Sequence, residues 1–209
     1  MEYNEYRGVR GLVIAEITDS EAYTPQTWQE LSGVQSVAVS KNESSESKFY
    51  DNAPRIVIDA EGADEIALVV SVLANKTRAL IDGVEYDEKT DMIINTPKKR
   101  KYFALGYIGE KTDGTEEFNI CYKGKFTGGG ETHETKTDGT ESTNVEYTFT
   151  AIHTSAKIRT KEDGTKITVK SIKVPATKVT ETQIFGAFTD GVSTVKPLTP
   201  DEISALATA

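Results

Sequence analysis

KYFALGYIGEKTDGTEEFNICYKGKFTGGGETHETKTDGTESTNVEYTFTAIH, residues 101–153, is the stretch whose reading decides the fold. Phe103, Leu105 and Tyr107 fall on one parity, and Phe118, Ile120 and Tyr122 repeat that alternation after the polar turn at 110–117. In a third run Val145, Tyr147, Phe149 and Ala151 share a parity, which leaves Glu146, Thr148 and Thr150 for the opposite face. A period of two built from aromatic and β-branched residues marks half-buried strands. Asp113-Gly114 between the first two runs is a hairpin signal, because glycine accepts the positive φ that such turns need. The expectation is an antiparallel sheet with one dry face.

Upstream, residues 11–17 predict a first strand with Leu12, Ile14 and Glu16 on one parity, and residues 34–39 a second. Trp28 and Leu31 read as anchors of the polar connection between them. Residues 40–54, SKNESSESKFYDNAP, read as a long charged loop that turns aromatic at Phe49 and Tyr50. Such a segment suits either a solvated surface loop or one ordered against another subunit, with an aromatic as the anchor. Strands are expected at 55–60 and 65–73 around Gly62. In the latter Ile66, Leu68, Val70 and Val72 alternate while Ala67 and Val69 make the other face apolar, the pattern of a sandwiched strand. Residues 75–83 predict one short helix capped by Asn75 and closed by Gly83, with Leu80 and Ile81 inward.

Downstream, strands are expected at 156–159, 166–174 and 182–188, the second with a slipped alternation that signals a bulge. The tail TPDEISALATA, 199–209, begins like a helix: Thr199 as cap, Pro200 next, then Asp201 and Glu202 in the first turn. At that length it either frays or docks on a neighbour. KTDGT at 111–115 and 136–140 and KEDGT at 161–165 recur at a spacing of 25 residues. The flanking strands do not repeat, and a calcium loop would need more acidic ligands, so the recurrence is turn chemistry, with two of the three at hairpin tips.

With 209 residues and no linker-like composition in the middle, the chain reads as one β-rich domain over 1–196 with an extension at 197–209. A formal net charge of −9 opposes tight non-specific binding of nucleic acid, although a carboxylate-lined cavity would let a phosphate backbone pass without adhesion. Lys98, Lys99, Arg100 and Lys101 form the dense basic patch, read as a solvated strand start or a salt-bridge partner before a nucleic-acid contact. The single cysteine, Cys121, excludes an internal disulfide and reads as a space-filler. Neither a secretory start nor a span of about 20 apolar residues is evident, and the expected place of synthesis is the cytoplasm. The sequons at Asn42 and Asn75 are taken as chance matches.

No phosphate loop, dinucleotide fingerprint, nucleophile elbow or zinc motif occurs, and the two histidines, His133 and His153, lie 20 residues apart. His133 reads as exposed in a polar loop and His153 as an edge-of-core residue. An enzyme is not expected, nor a cofactor or metal.

Taken in order, GLVIAEITDSEAYTPQTWQELSGVQSVAVS (11–40), SKFYDNAPRIVIDAEGADEIALVV (47–70), KKRKYFALGYIGE (98–110) and NICYKGKFTGGGETHETKTDGTESTNVEYTFTA (119–151) resemble the major tail protein family of long-tailed bacteriophages. The resemblance implies a mainly β protomer, an antiparallel β-sandwich or barrel-like tail-tube fold with one short packed α-helix, long loops and a short C-terminal helix. It further implies hexameric rings stacked into a hollow tube in the virion, working with a tape-measure protein and with tail terminator and tip proteins. DNA would pass through without specific binding, and no membrane insertion is implied. On that reading Lys48, Phe49, Tyr50 and His133 are candidate inter-subunit contacts, and Glu146, Thr148 and Thr150 candidate lumen residues. The alternatives are the tube of a phage-derived particle without DNA cargo, and a monomeric β-sandwich binding or adhesin module.

Overall fold

The alternation becomes one curled antiparallel sheet, seen in a computed structural model that describes residues 4–19, 22–31, 33–131, 133, 135 and 144–207. The first part of the chain holds β1 (Tyr6–Asp19), β2 (Tyr23–Pro25), β3 (Gln29–Glu30), β4 (Val34–Ser40), β5 (Glu43–Tyr50), β6 (Ala53–Glu61) and β7 (Asp64–Val70). Then come α1 (Asn75–Asp82), β8 (Glu85–Asp87), β9 (Met92–Ile94), β10 (Tyr102–Lys111), β11 (Glu116–Gly130) and β12 (Val145–Ala151). The last part comprises β13 (Arg159–Thr160), β14 (Lys166–Ile167), β15 (Ser171–Pro175), α2 (Glu181–Ile184), β16 (Phe188–Thr189), β17 (Val192–Ser193) and α3 (Pro200–Ala207). Among the described residues the large sheet runs β16-β17-β3-β1-β10-β11-β12-β7-β4, with β15 on β11 and β2 on β1. The fold is mainly β, and its sheets are antiparallel.

The centre of the sheet is dry on both faces, not on one. Register decides this. Leu105 lies opposite Cys121 and Tyr107 opposite Asn119, while Gly106 lies opposite Ile120 and Ile108 opposite Phe118. Directly opposed residues share a face, so Phe118, Ile120 and Tyr122 point away from Phe103 and Leu105. The sheet curls until β4 lies against β1, enclosing Leu12, Ile14, Ile66, Leu68, Phe103, Phe126, Tyr147 and Phe149. On the other face Val13, Trp28, Ile120, Tyr122 and Phe185 form a second core, roofed by C-terminal elements. Gly106 permits that roof, because a Cβ there would stand 2.6 Å from the Phe185 ring and 2.9 Å from a Val13 methyl.

The anchoring expected of Trp28 and Leu31 is observed. Trp28 is fully buried, donating its indole N–H to the Ile184 carbonyl at 3.2 Å, and Leu31 joins the first core. Several local expectations change. The segment 182–188 is not a strand: Thr180 and Gln183 form a reciprocal capping box that starts α2. The structure therefore has three helices among its described residues. Asn75 does not cap α1; the cap position is Ala74, and the Asn75 amide donates instead to the Asp91 carbonyl. Gly83 does close the helix in the left-handed conformation. The run 166–174 is split into β14 and β15 at the expected slip. The tail packs on its own chain and does not fray: Thr199 and Glu202 cap α3 reciprocally, and Ile203 is buried in the second core. The turns at 111–115 and 161–165 do close hairpins, whereas 136–140 lies outside the described residues.

The largest difference is at 40–54. That segment is not a loop but most of a β-hairpin, β5–β6, joined by Asp51 and Asn52. Both turn residues have positive φ, 51° and 61°, as a tight two-residue turn requires. Every residue of β5 is exposed, and so is all of β6 beyond Ala53. With no buried face, 43–50 carries no periodic signal; backbone pairing alone makes it a strand.

Candidate interaction surfaces

The hairpin is an arm, paired only with itself among the described residues. It carries Phe49 (67 % exposed) and Tyr50 (53 %) at its tip and Ile56, Val57 and Ile58 along β6. Lys48 precedes the aromatics, so three of the four residues expected at a subunit contact cluster at one end of the arm. His133 is not among them. It is highly exposed, with Nε2 3.5 Å from Glu131, a carboxylate that also pairs with Arg78 of α1.

The arm's root is clamped. Lys170, immediately before β15, is almost wholly buried and donates to Asp64 Oδ1 at 2.9 Å and to the Gly62 carbonyl at 3.2 Å, while pairing with Glu61. Burial pushes the Lys170 ammonium down, but the Glu61 and Asp64 carboxylates outweigh it and raise its pKa. Lys170 in turn holds the Glu61 carboxyl below the usual range, with a smaller contribution from His153, 3.5 Å away. His153 is therefore an exposed residue beside the clamp and not an edge-of-core one. Nothing in the local sequence marked Lys170; its partners are 106 and 109 positions away.

A second surface is the outer face of β12, β7 and β4. Register places Thr150, Glu65 and Ser40 in one row, Thr148, Ala67 and Ala38 in the next, and Glu146, Val69 and Ser36 in a third. These side chains are exposed or half-buried, whereas the alternate residues Tyr147, Phe149, Ile66 and Leu68 are buried. The apolar second face expected to sandwich residues 65–73 is thus uncovered: Ala67 is exposed and Val69 half-buried. Small and hydroxylated side chains make this face flat. Its charges are Glu65 and Glu146, with Lys125 next to Thr150 on β11.

No group of metal ligands is assembled among the described residues: no three His, Cys, Asp or Glu side chains come together. Cys121 is buried in the first core, and burial pushes its thiol up to about 12, so it fills space as an unreactive thiol. The basic patch is partly neutralised, Lys101 meeting Glu16 at 2.9 Å and Lys98 lying 4.0 Å from Asp82. No helix among the described residues is long and apolar enough to cross a membrane. In comparison with known proteins, the chain matches no protein-family model and no curated protein.

Proposed function

We propose that this chain is a structural subunit that self-assembles into rings stacked as a hollow tube, of the kind the major tail proteins of long-tailed bacteriophages build. The observation that carries the reading is the arm. A lone two-stranded hairpin is marginal in water, and this one exposes Phe49, Tyr50, Ile56, Val57 and Ile58 together. Another surface is needed to cover them. A copy of the same chain supplies one, and β4, the terminal strand of the sheet, offers an edge for pairing with a neighbour.

In that assembly the flat outer face of β12, β7 and β4 is the candidate channel wall, with Glu146, Thr148 and Thr150 in it. Glu65 and Glu146 on that wall, set among the small side chains Ala38, Ala67, Thr148 and Thr150, would repel the phosphates of DNA and let the polymer slide. The tape-measure, terminator and tip proteins, the location in a virion and the hexameric number follow from the resemblance alone. So does the absence of catalysis from the proposed role.

The test is light scattering and negative-stain electron microscopy of the purified protein across concentration, beside a variant with residues 43–61 replaced by a short Gly-Ser link. Rings or tubes from the intact chain, and a folded monomer from the variant, are the expected result. An intact chain that stays monomeric at the highest soluble concentration would overturn the reading. A channel wall dominated by Lys and Arg in an assembled tube would overturn the electrostatic part.

A further inference from the structure

β5 and β6 form a two-stranded sheet of their own, so one edge of β6 is unpaired among the described residues. Along that edge Arg55-Ile56-Val57-Ile58-Asp59 is balanced about Val57, with an isoleucine on each side, a cation at one end and an anion at the other. All five residues are exposed. Neither Arg55 nor Asp59 has a side-chain partner among the described residues.

Two copies of this strand match each other when they run antiparallel about a two-fold axis normal to the sheet at Val57. Directly opposed residues share a face. Val57 then meets Val57, and on that same face Arg55 of each copy stands opposite Asp59 of the other. On the reverse face Ile56 of each copy meets Ile58 of the other. Moving the axis destroys the match: about Ile56, Arg55 opposes Val57, and about Ile58, Asp59 opposes Val57. Pro54, which has no N–H to give, falls outside the five matched residues. The outer edge of β5, ESSESKFY, has no β-branched residue to offer to such a seam.

We infer that the arms of two copies of the chain pair edge to edge through β6, with an Arg55–Asp59 ion pair at each end of an Ile-Val-Ile seam. The product is a four-stranded sheet, which supplies what a lone hairpin lacks: three or more strands with an apolar face. Ile56 and Ile58 of both copies line that face. Glu61, at the root of the arm, lies four residues from the axis, so the two roots stand roughly 26 Å apart along the strands at 3.3 Å per residue. The bodies therefore sit at opposite ends of the shared sheet. Such a contact is isologous and closes at two copies, whereas stacked rings need contacts that propagate. The pair thus stands without the tube; beside it, the pair is a form of the free subunit that must open before the arm serves a ring.

The test uses full-length chains carrying C121A, so that no native thiol competes. With Val57→Cys added, mild oxidation should give a disulfide-linked dimer, because opposed Cα atoms of an antiparallel pair, about 4.5–5.5 Å apart, are within disulfide reach. Ser47→Cys, opposite Val57 but one strand further from the axis, should give none. Charge reversal is read by sedimentation equilibrium. R55D and D59R set like charges opposite each other and should each raise the dimer dissociation constant about tenfold, while R55D/D59R together should return it to within about threefold of wild type, all with unchanged circular dichroism. Cross-linking at 47 as strong as at 57, or a double variant no better than the single ones, would overturn the pairing. Tubes grown from a chain that is monomeric below the assembly concentration would overturn the pairing and spare the tube. A dimer cross-linked at 57 that never yields rings or tubes, oxidised or reduced, would keep the pairing and overturn the tube. No self-association at all would overturn both.

Discussion

Residues 118–122, FNICY, and 55–59, RIVID, are comparable pieces of β sequence with opposite fates. Phe118, Ile120 and Tyr122 are at most 1 % exposed, whereas Ile56, Val57 and Ile58 are between 44 and 59 % exposed. The first lies between β10 and β15 with a core above and below; the second has β5 on one side and solvent around it. Apolar content makes a strand, but the neighbouring layers decide whether it is core or contact. The chain's own packing does not use the apolar side chains of RIVID.

The comparison can be broken most directly at the centre. Phe126 packs edge-on against Phe103, Tyr147 and Phe149, with ring centroids 5.6, 6.2 and 4.9 Å away. Phe126→Ala should cost about 3–5 kcal/mol of unfolding free energy in urea titration. A loss below 1 kcal/mol would mean that this core is far looser than its burial indicates.

The junction between the two regions comes next. Lys170→Met leaves Asp64 buried without its cation, and a broken buried pair costs about 3–5 kcal/mol. Glu61 is half-exposed, so solvent screening reduces the expected loss to about 2–3 kcal/mol. The difference between wild type and variant should depend on pH in a defined way. Glu61 is held below its ordinary range, so its contribution is complete above about pH 5 and fades as acid protonates it in the folded protein. Lys170 is raised, so its contribution is complete below about pH 10 and fades as base titrates it in the folded protein. Denaturation across that window, with hydrogen exchange at 61–64 as a local readout, checks both limbs. An exchange rate unchanged by the substitution would remove Lys170 from the arm's support.

At the terminal helix the effect should be smaller. Thr199→Ala removes a side chain that accepts from the Glu202 N–H and donates to its carboxylate, and should cost about 1 kcal/mol. Smallest of all, Phe49→Ser should change the stability of the unassembled subunit by less than about 0.5 kcal/mol, because the ring touches solvent. A large loss there would show that the arm is folded into its own subunit after all.

Much of the architecture was legible because it is local. Alternation at 102–108 and 145–152, the Asp-Gly turn, the positive-φ glycine after α1 and the Thr-Pro-Asp-Glu start of α3 each depend on residues a few positions apart. The misreadings have local causes too. Residues 182–188 alternate like a strand, yet the Thr180–Gln183 capping box two residues upstream was the stronger signal. The Ser- and Glu-rich β5 lacked any pattern because no face of it is buried. Of the candidate contacts, the aromatics at 49 and 50 stood out as apolar residues in polar surroundings, and the structure puts them at the tip of an arm. The clamp had no such signature, since it joins Lys170 to Asp64, about a hundred positions away.

What the sequence determined by itself was a mainly β chain with its strands, turns and caps, since side-chain period and backbone preference act over a few residues. What only the tertiary structure decided was facing: which side of β11 meets which core, that the outer side of β7 stays bare, and that β5 and β6 leave the body as an arm. Facing follows from inter-strand register, where a one-residue shift exchanges every inward side chain for an outward one, and register is set by contacts between segments distant in the chain.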